Sequence, residues 1–94
     1  MRHMILVKLR EGEGMPEDFA REIGPLFGRA LEIDGVHAVR VIPACITAPN
    51  RCDVLIEMEL TPEGLRAFDA SELHAEWKRR FAQRLAYKAI FDGE

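Results

Sequence analysis

The opening segment, Arg2-His3-Met4-Ile5-Leu6-Val7-Lys8-Leu9-Arg10, constrains this chain more than any other. It alternates as a β-strand does, yet it is apolar on both sides. His3, Ile5, Val7 and Leu9 point one way; Met4 and Leu6 point the other, with Lys8 following. A chain of 94 residues has helices enough to cover one face of a small sheet and too little material to cover the second. Met4 and Leu6 therefore need a cover from outside the chain, and the simplest is a second copy of it.

At this length the chain is one domain, residues 1–94. Hydrophobic residues are 48% and charged residues 31%, which places it with globular rather than disordered sequences. A formal net charge of -3 argues against a partner held by phosphate neutralisation, so no nucleic acid is expected. No apolar run approaches the roughly 20 residues of a membrane span, and Met4–Val7 is too short for a signal-peptide core. The expectation is a cytoplasmic protein with no membrane partner. In that compartment Cys45 and Cys52 are expected to be reduced, partly buried thiols. They flank a hairpin loop, so a bridge between them stays open. Their spacing is not that of a zinc knuckle, and no metal or cofactor is expected.

The elements follow from punctuation and period. Glu11-Gly12-Glu13-Gly14 is a turn, and Pro16-Glu17-Asp18 opens a helix. Its apolar stripe is Phe19, Ile23, Leu26, Phe27, Ala30 and Leu31, in phase across Gly24-Pro25, which predicts one kinked helix. Val36–Ile46 reads as a strand, and Pro43 makes it an edge strand. Thr47–Arg51 is a hairpin loop. Asp53–Leu60 is the clearest strand, with Val54, Ile56, Met58 and Leu60 on one face and Leu55, Glu57 and Glu59 on the other. Thr61-Pro62-Glu63 caps and starts a short helix. Ser71-Glu72-Leu73-His74 breaks and restarts it, and Leu73, Trp77, Phe81 and Leu85 form the last core stripe. Tyr87–Asp92 closes the chain as a strand. The predicted class is α+β: a ferredoxin-like β-α-β-β-α-β chain with a split second helix and an antiparallel four-stranded sheet.

Several residues together resemble the stress-responsive A/B barrel family: Arg2–Lys8 as the opening strand, the Asp34-Gly35-Val36 turn, the Phe68…His74…Trp77 break, and the closing strand Tyr87–Asp92. The resemblance spans essentially the whole chain. It implies a homodimer in which two sheets pack face to face as an α/β barrel. The plant polyketide cyclases similar to it use a His on the first strand, a His at the start of the last helix, and a Tyr six residues before the latter. His3 and His74 match the two histidines. Phe68 stands at the Tyr position and has no hydroxyl to hold an enolate. Tyr87 is the remaining candidate hydroxyl.

His3 and His74 are the candidate catalytic pair, because imidazole exchanges protons near neutral pH. Phe19, Phe68, Trp77 and Tyr87 are candidates to line an apolar cavity between sheet and helices, beside Phe27 and Phe81; plain core packing is the other reading. Met4, Leu6, Leu55 and Glu57 are expected at the dimer interface, with Glu57 and Glu59 meeting Arg40, Lys8 or Lys88. Lys78, Arg79, Arg80 and Arg84 read as a solvated helix face or, less simply, an anion site. Four functions remain open: a homodimer binding a small apolar or aromatic ligand; a cyclase-, lyase- or isomerase-like enzyme using His3 and His74; a cofactor-free monooxygenase; and a purely structural homodimer.

Overall fold

The computed structural model describes residues 1–94 and places β1 (Arg2–Leu9) inside a four-stranded antiparallel sheet. The strand order is β2-β3-β1-β4, with β2 Val36–Pro43, β3 Val54–Leu60 and β4 Leu85–Gly93. α1 (Pro16–Gly28), α2 (Pro62–Asp69) and α3 (Glu72–Phe81) all lie on one side of it. Along β1, His3, Ile5, Val7 and Leu9 are buried while Met4, Leu6 and Lys8 are half-buried, so the two-faced reading of this strand holds. β2 is an edge, as Pro43 requires. It stops at Pro43, not at Ile46, because the chain bends from Cys45 onward.

The helices begin where the sequence marks them. Thr61 Oγ1 accepts a hydrogen bond from Gly64 N–H at 3.0 Å, with Pro62 in the first turn. Ser71 does two jobs: its Oγ donates to the Phe68 carbonyl at 2.6 Å and accepts from His74 N–H at 3.2 Å. That closes α2 and opens α3 within three residues. α1 runs continuously through Pro25, then tightens into a 3-10 turn over Arg29–Glu32. The tighter winding turns Leu31 out to solvent, against the expected stripe, while Ala30 stays buried.

The core is aromatic. Phe19, Phe27, Phe68, Trp77 and Phe81 are all almost fully buried. Phe27 and Trp77 meet edge to face at 4.9 Å, Phe19 and Phe81 at 5.7 Å. They pack on Val7, Ile56 and Met58 of the sheet. Each such side chain stabilises the fold by about 1.5–3 kcal/mol. One seam is closer than any side chain allows. Gly35 (φ 92°) lies against the start of α2, and a Cβ on it would stand 2.5 Å from Thr61 Oγ1; a Cβ on Gly64 would stand 2.7 Å from the Gly35 carbonyl carbon.

Candidate functional site

Strand pairing decides what His3 meets. β1 and β4 pair so that His3 lies opposite Asp92, both on the helix side of the sheet. His3 Nδ1 and Asp92 Oδ1 are 2.5 Å apart, and His3 is 6% exposed. The carboxylate accepts from Nδ1–H and fixes the orientation of the ring. Nε2 has no protein partner, yet it is not sealed from solvent.

His74 stands on the other side of Phe68. The Phe68 ring centre is 6.1 Å from that of His3 and 5.1 Å from that of His74. Burial pushes the His74 imidazole below its ordinary value, Lys78 and Lys88 push it the same way, and Asp69 opposes them. A neutral His74 at pH 7 is a proton acceptor. Both histidines therefore sit at one edge of the layer between helices and sheet, separated by one aromatic ring.

The expected cavity between sheet and helices is not there. Phe19, Phe68 and Trp77 are close-packed core, and none of the chain's concavities is lined by them or by the two histidines. The aromatic stripe is wide enough to fill the space it encloses. Tyr87 also departs from expectation. It pairs with Lys8 and lies on the open face, 52% exposed. Its hydroxyl is 3.3 Å from Cys52 Sγ, a contact that raises its pKa. Cys52 is half-buried, but Cys45 is exposed, and the two are not bridged.

The open face carries the other predicted residues. Met4, Leu6 and Leu55 are half-buried there. Phe91 is 59% exposed on the same face, opposite Met4. Glu57 is 5% exposed and ion-paired with Arg40, its cross-strand neighbour; that hydrogen bond raises the Arg40 pKa. A concavity of ≈ 430 Å³ opens beside Leu6, Ile42, Ala44, Cys52 and Leu55. A second, of ≈ 350 Å³, is bounded by Ala38, Arg40, Glu57 and Glu59. Beneath the 44–53 loop, Asp53 is buried. Its Oδ2 accepts from Leu9 N–H at 2.8 Å and its Oδ1 lies 3.7 Å from Lys8 Nζ.

The basic run is largely paired. Arg79 meets Glu72, Arg80 meets Glu76, and Arg84 meets Glu13 and Glu22. The two arginine hydrogen bonds, from Arg80 and then Arg29, hold the Glu76 carboxyl below its usual range. No group of three His, Cys, Asp or Glu is placed to hold a metal ion. No helix is long and apolar enough to cross a membrane.

Solved structures share this architecture over nearly the whole chain. The At3g17210 protein of Arabidopsis thaliana superposes with a TM-score of 0.77 at 17% identity, over 99% of this chain and 92% of that one. A dimeric ferredoxin-like protein of unknown function from Thermobifida fusca gives 0.77 at 19% identity, over 96% and 85%. A protein of Bordetella bronchiseptica named for antibiotic biosynthesis monooxygenases gives 0.73 at 18% identity, over 99% and 94%. The fold is ferredoxin-like α+β. No family model and no curated protein matches the chain by sequence.

Sequence reading missed Asp92 as the partner of His3 and Lys88 as a neighbour of His74. The signal for both was the alternation of the closing strand, which puts residues 88, 90 and 92 on one face. Using it required the β1–β4 register, which shifts between Lys8 and Leu9.

Proposed function

We propose that the chain works as a homodimer closed through its open sheet face, and that each subunit binds a small, largely apolar molecule beside His3 and His74. The observation that carries the dimer is the open face itself. Leu6, Leu55, Ile42 and Phe91 form an apolar surface, and the buried Glu57 on the same face is already ion-paired with Arg40. Such a surface resembles the core of a protein interface with its polar rim. Three of the structurally similar proteins are dimeric, which supports the same reading.

The histidine pair supports a proton-transfer role over mere ligand retention. Asp92 orients His3 through Nδ1, which leaves Nε2 turned away from that contact. His74 is held neutral by burial. A ligand carbon acid beside either imidazole would lose a proton to its free nitrogen, and the imidazolium so formed would return that proton at the end of the step, as in lyase, isomerase and aldol cyclase chemistry. Phe68 supplies no hydroxyl, so an enolate would have to be held by other donors.

Light scattering tests the dimer: a mass of two chains at micromolar concentration is expected, and a clean monomer removes the reading. Proton NMR of the imidazoles tests the site. Added ligand is expected to move the His3 and His74 resonances and to leave His37, which is exposed, unmoved.

A further inference from the structure

A dimer through the open face accounts for the exposure of Phe91, Tyr87 and Ile42, but not for Ile90. Ile90 pairs with Ile5, so it lies on the helix side of β4, and it is 49% exposed. β4 is an edge strand, and its residues from Ala86 to Asp92 are all exposed. The other edge, β2, is blunted: it ends at Pro43, and its pairing shifts between Val36 and Ala38. β4 carries no proline, and its register is regular from Tyr87 to Gly93.

The phase of the ladder settles which backbone groups that edge offers. Met1, just before β1, and Leu60 exchange both their hydrogen bonds at 3.0 Å, and the Val7 carbonyl accepts from Asp53 N–H at 2.8 Å. The odd residues of β1 thus turn their N–H and C=O groups toward β3. The even ones turn theirs toward β4, where Met4, Leu6 and Lys8 meet Phe91, Ala89 and Tyr87. The outward N–H and C=O groups of β4 therefore belong to Lys88, Ile90 and Asp92, and they find no strand partner within the chain.

We infer that β4 pairs antiparallel with β4 of a second copy of this chain, about a two-fold axis at Ile90. That register satisfies the free backbone groups of all three residues reciprocally. On the helix side it sets Ile90 beside the partner's Ile90, and Lys88 opposite the partner's Asp92. On the open face it lays Phe91 over the partner's Ala89. Pairing centred on Lys88 or on Asp92 would set like charges face to face; centred on Ala89 or Phe91, it would set a charge against Ile90. Asp92 has Oδ1 on His3 and a side chain 40% exposed, so its other oxygen is free for a lysine. The partner's Lys88 thus holds the carboxylate that orients His3, and the histidine site is complete only in the pair of chains. This rests on the homodimer proposed above and gives it a seam, continuous with the open face through Phe91 and Tyr87.

Amide hydrogen exchange of the wild-type protein, followed by NMR, tests the seam. β1 protects the amides of Tyr87, Ala89 and Phe91 with or without a partner. Those of Lys88, Ile90 and Asp92 are expected to be protected as well, and to lose that protection on dilution into monomer. Free exchange at these three in a protein of two-chain mass overturns the seam and leaves the open-face dimer standing. A monomer by mass takes away both. Charge reversal tests the register. Lys88→Asp, at an exposed position, is expected to raise the dissociation constant about tenfold or more, and so is Asp92→Lys. An equimolar mixture of the two variants is expected to regain wild-type affinity, because each charge then faces its opposite. Unchanged affinity in Lys88→Asp, or a mixture no tighter than its components, overturns the register. The exchange experiment and Lys88→Asp decide the matter even if Asp92→Lys fails to fold.

Discussion

The two faces of the sheet are built from the same four strands and finished in opposite ways. The helix side carries Ile5, Val7, Ile56 and Met58 under a packed layer of five aromatic rings. The other side carries Met4, Leu6, Leu55 and Phe91 with nothing from this chain above them. On the closed side even the polar group is locked, His3 by Asp92. On the open side the buried acid is matched by an exposed arginine that another chain can cover. The difference shows where stability comes from within one subunit and where it must be supplied by association.

Substitutions can break that contrast. Trp77→Ala empties the centre of the closed side and is expected to cost about 3–5 kcal/mol of unfolding free energy in urea; a loss under 1 kcal/mol would mean the aromatic layer is not the core. Leu6→Glu puts a charge in the middle of the open face. The dissociation constant should rise at least ~100-fold, seen as a monomer mass by light scattering, with the far-ultraviolet dichroism kept. A dimer that survives this change is not built on the open face. Gly64→Ala forces a methyl onto the Gly35 backbone and is expected to cost about 1–3 kcal/mol. Ser71→Ala removes the cap of α3 and should cost about 1 kcal/mol.

The smallest effect is a pH slope. His74 has its pKa lowered below the ordinary 6.5, so the folded chain binds fewer protons than the unfolded one between those two values. Stability from this group is full above 6.5 and falls as the pH drops through the window beneath it. His74→Gln should flatten that part of the curve; an unchanged slope would place its cause elsewhere.

Much of the fold was legible because each signal was local. Thr61-Pro62 and Ser71 mark helix starts by side chains that reach only three residues ahead. Pro43 marks an edge because it lacks an N–H. The alternation of β1 told both faces apart. The site was less legible, because its partners come together through pairing across the length of the chain. Asp92 meets His3 only once the β1–β4 register is known. The same register puts Tyr87 opposite Lys8 and away from the aromatic layer. Whether that layer encloses a hollow or fills it depends on packing, which a stripe of Phe19, Phe68 and Trp77 does not specify. Leu31 was lost to a change of helical winding that its own residue type does not signal.

The Gly35–Gly64 seam sets a boundary for anyone diversifying this domain. Two positions far apart in the chain must both stay without a side chain, since relieving one alone leaves the other still blocked by main chain. A randomised library should hold them fixed together and spend its variation elsewhere.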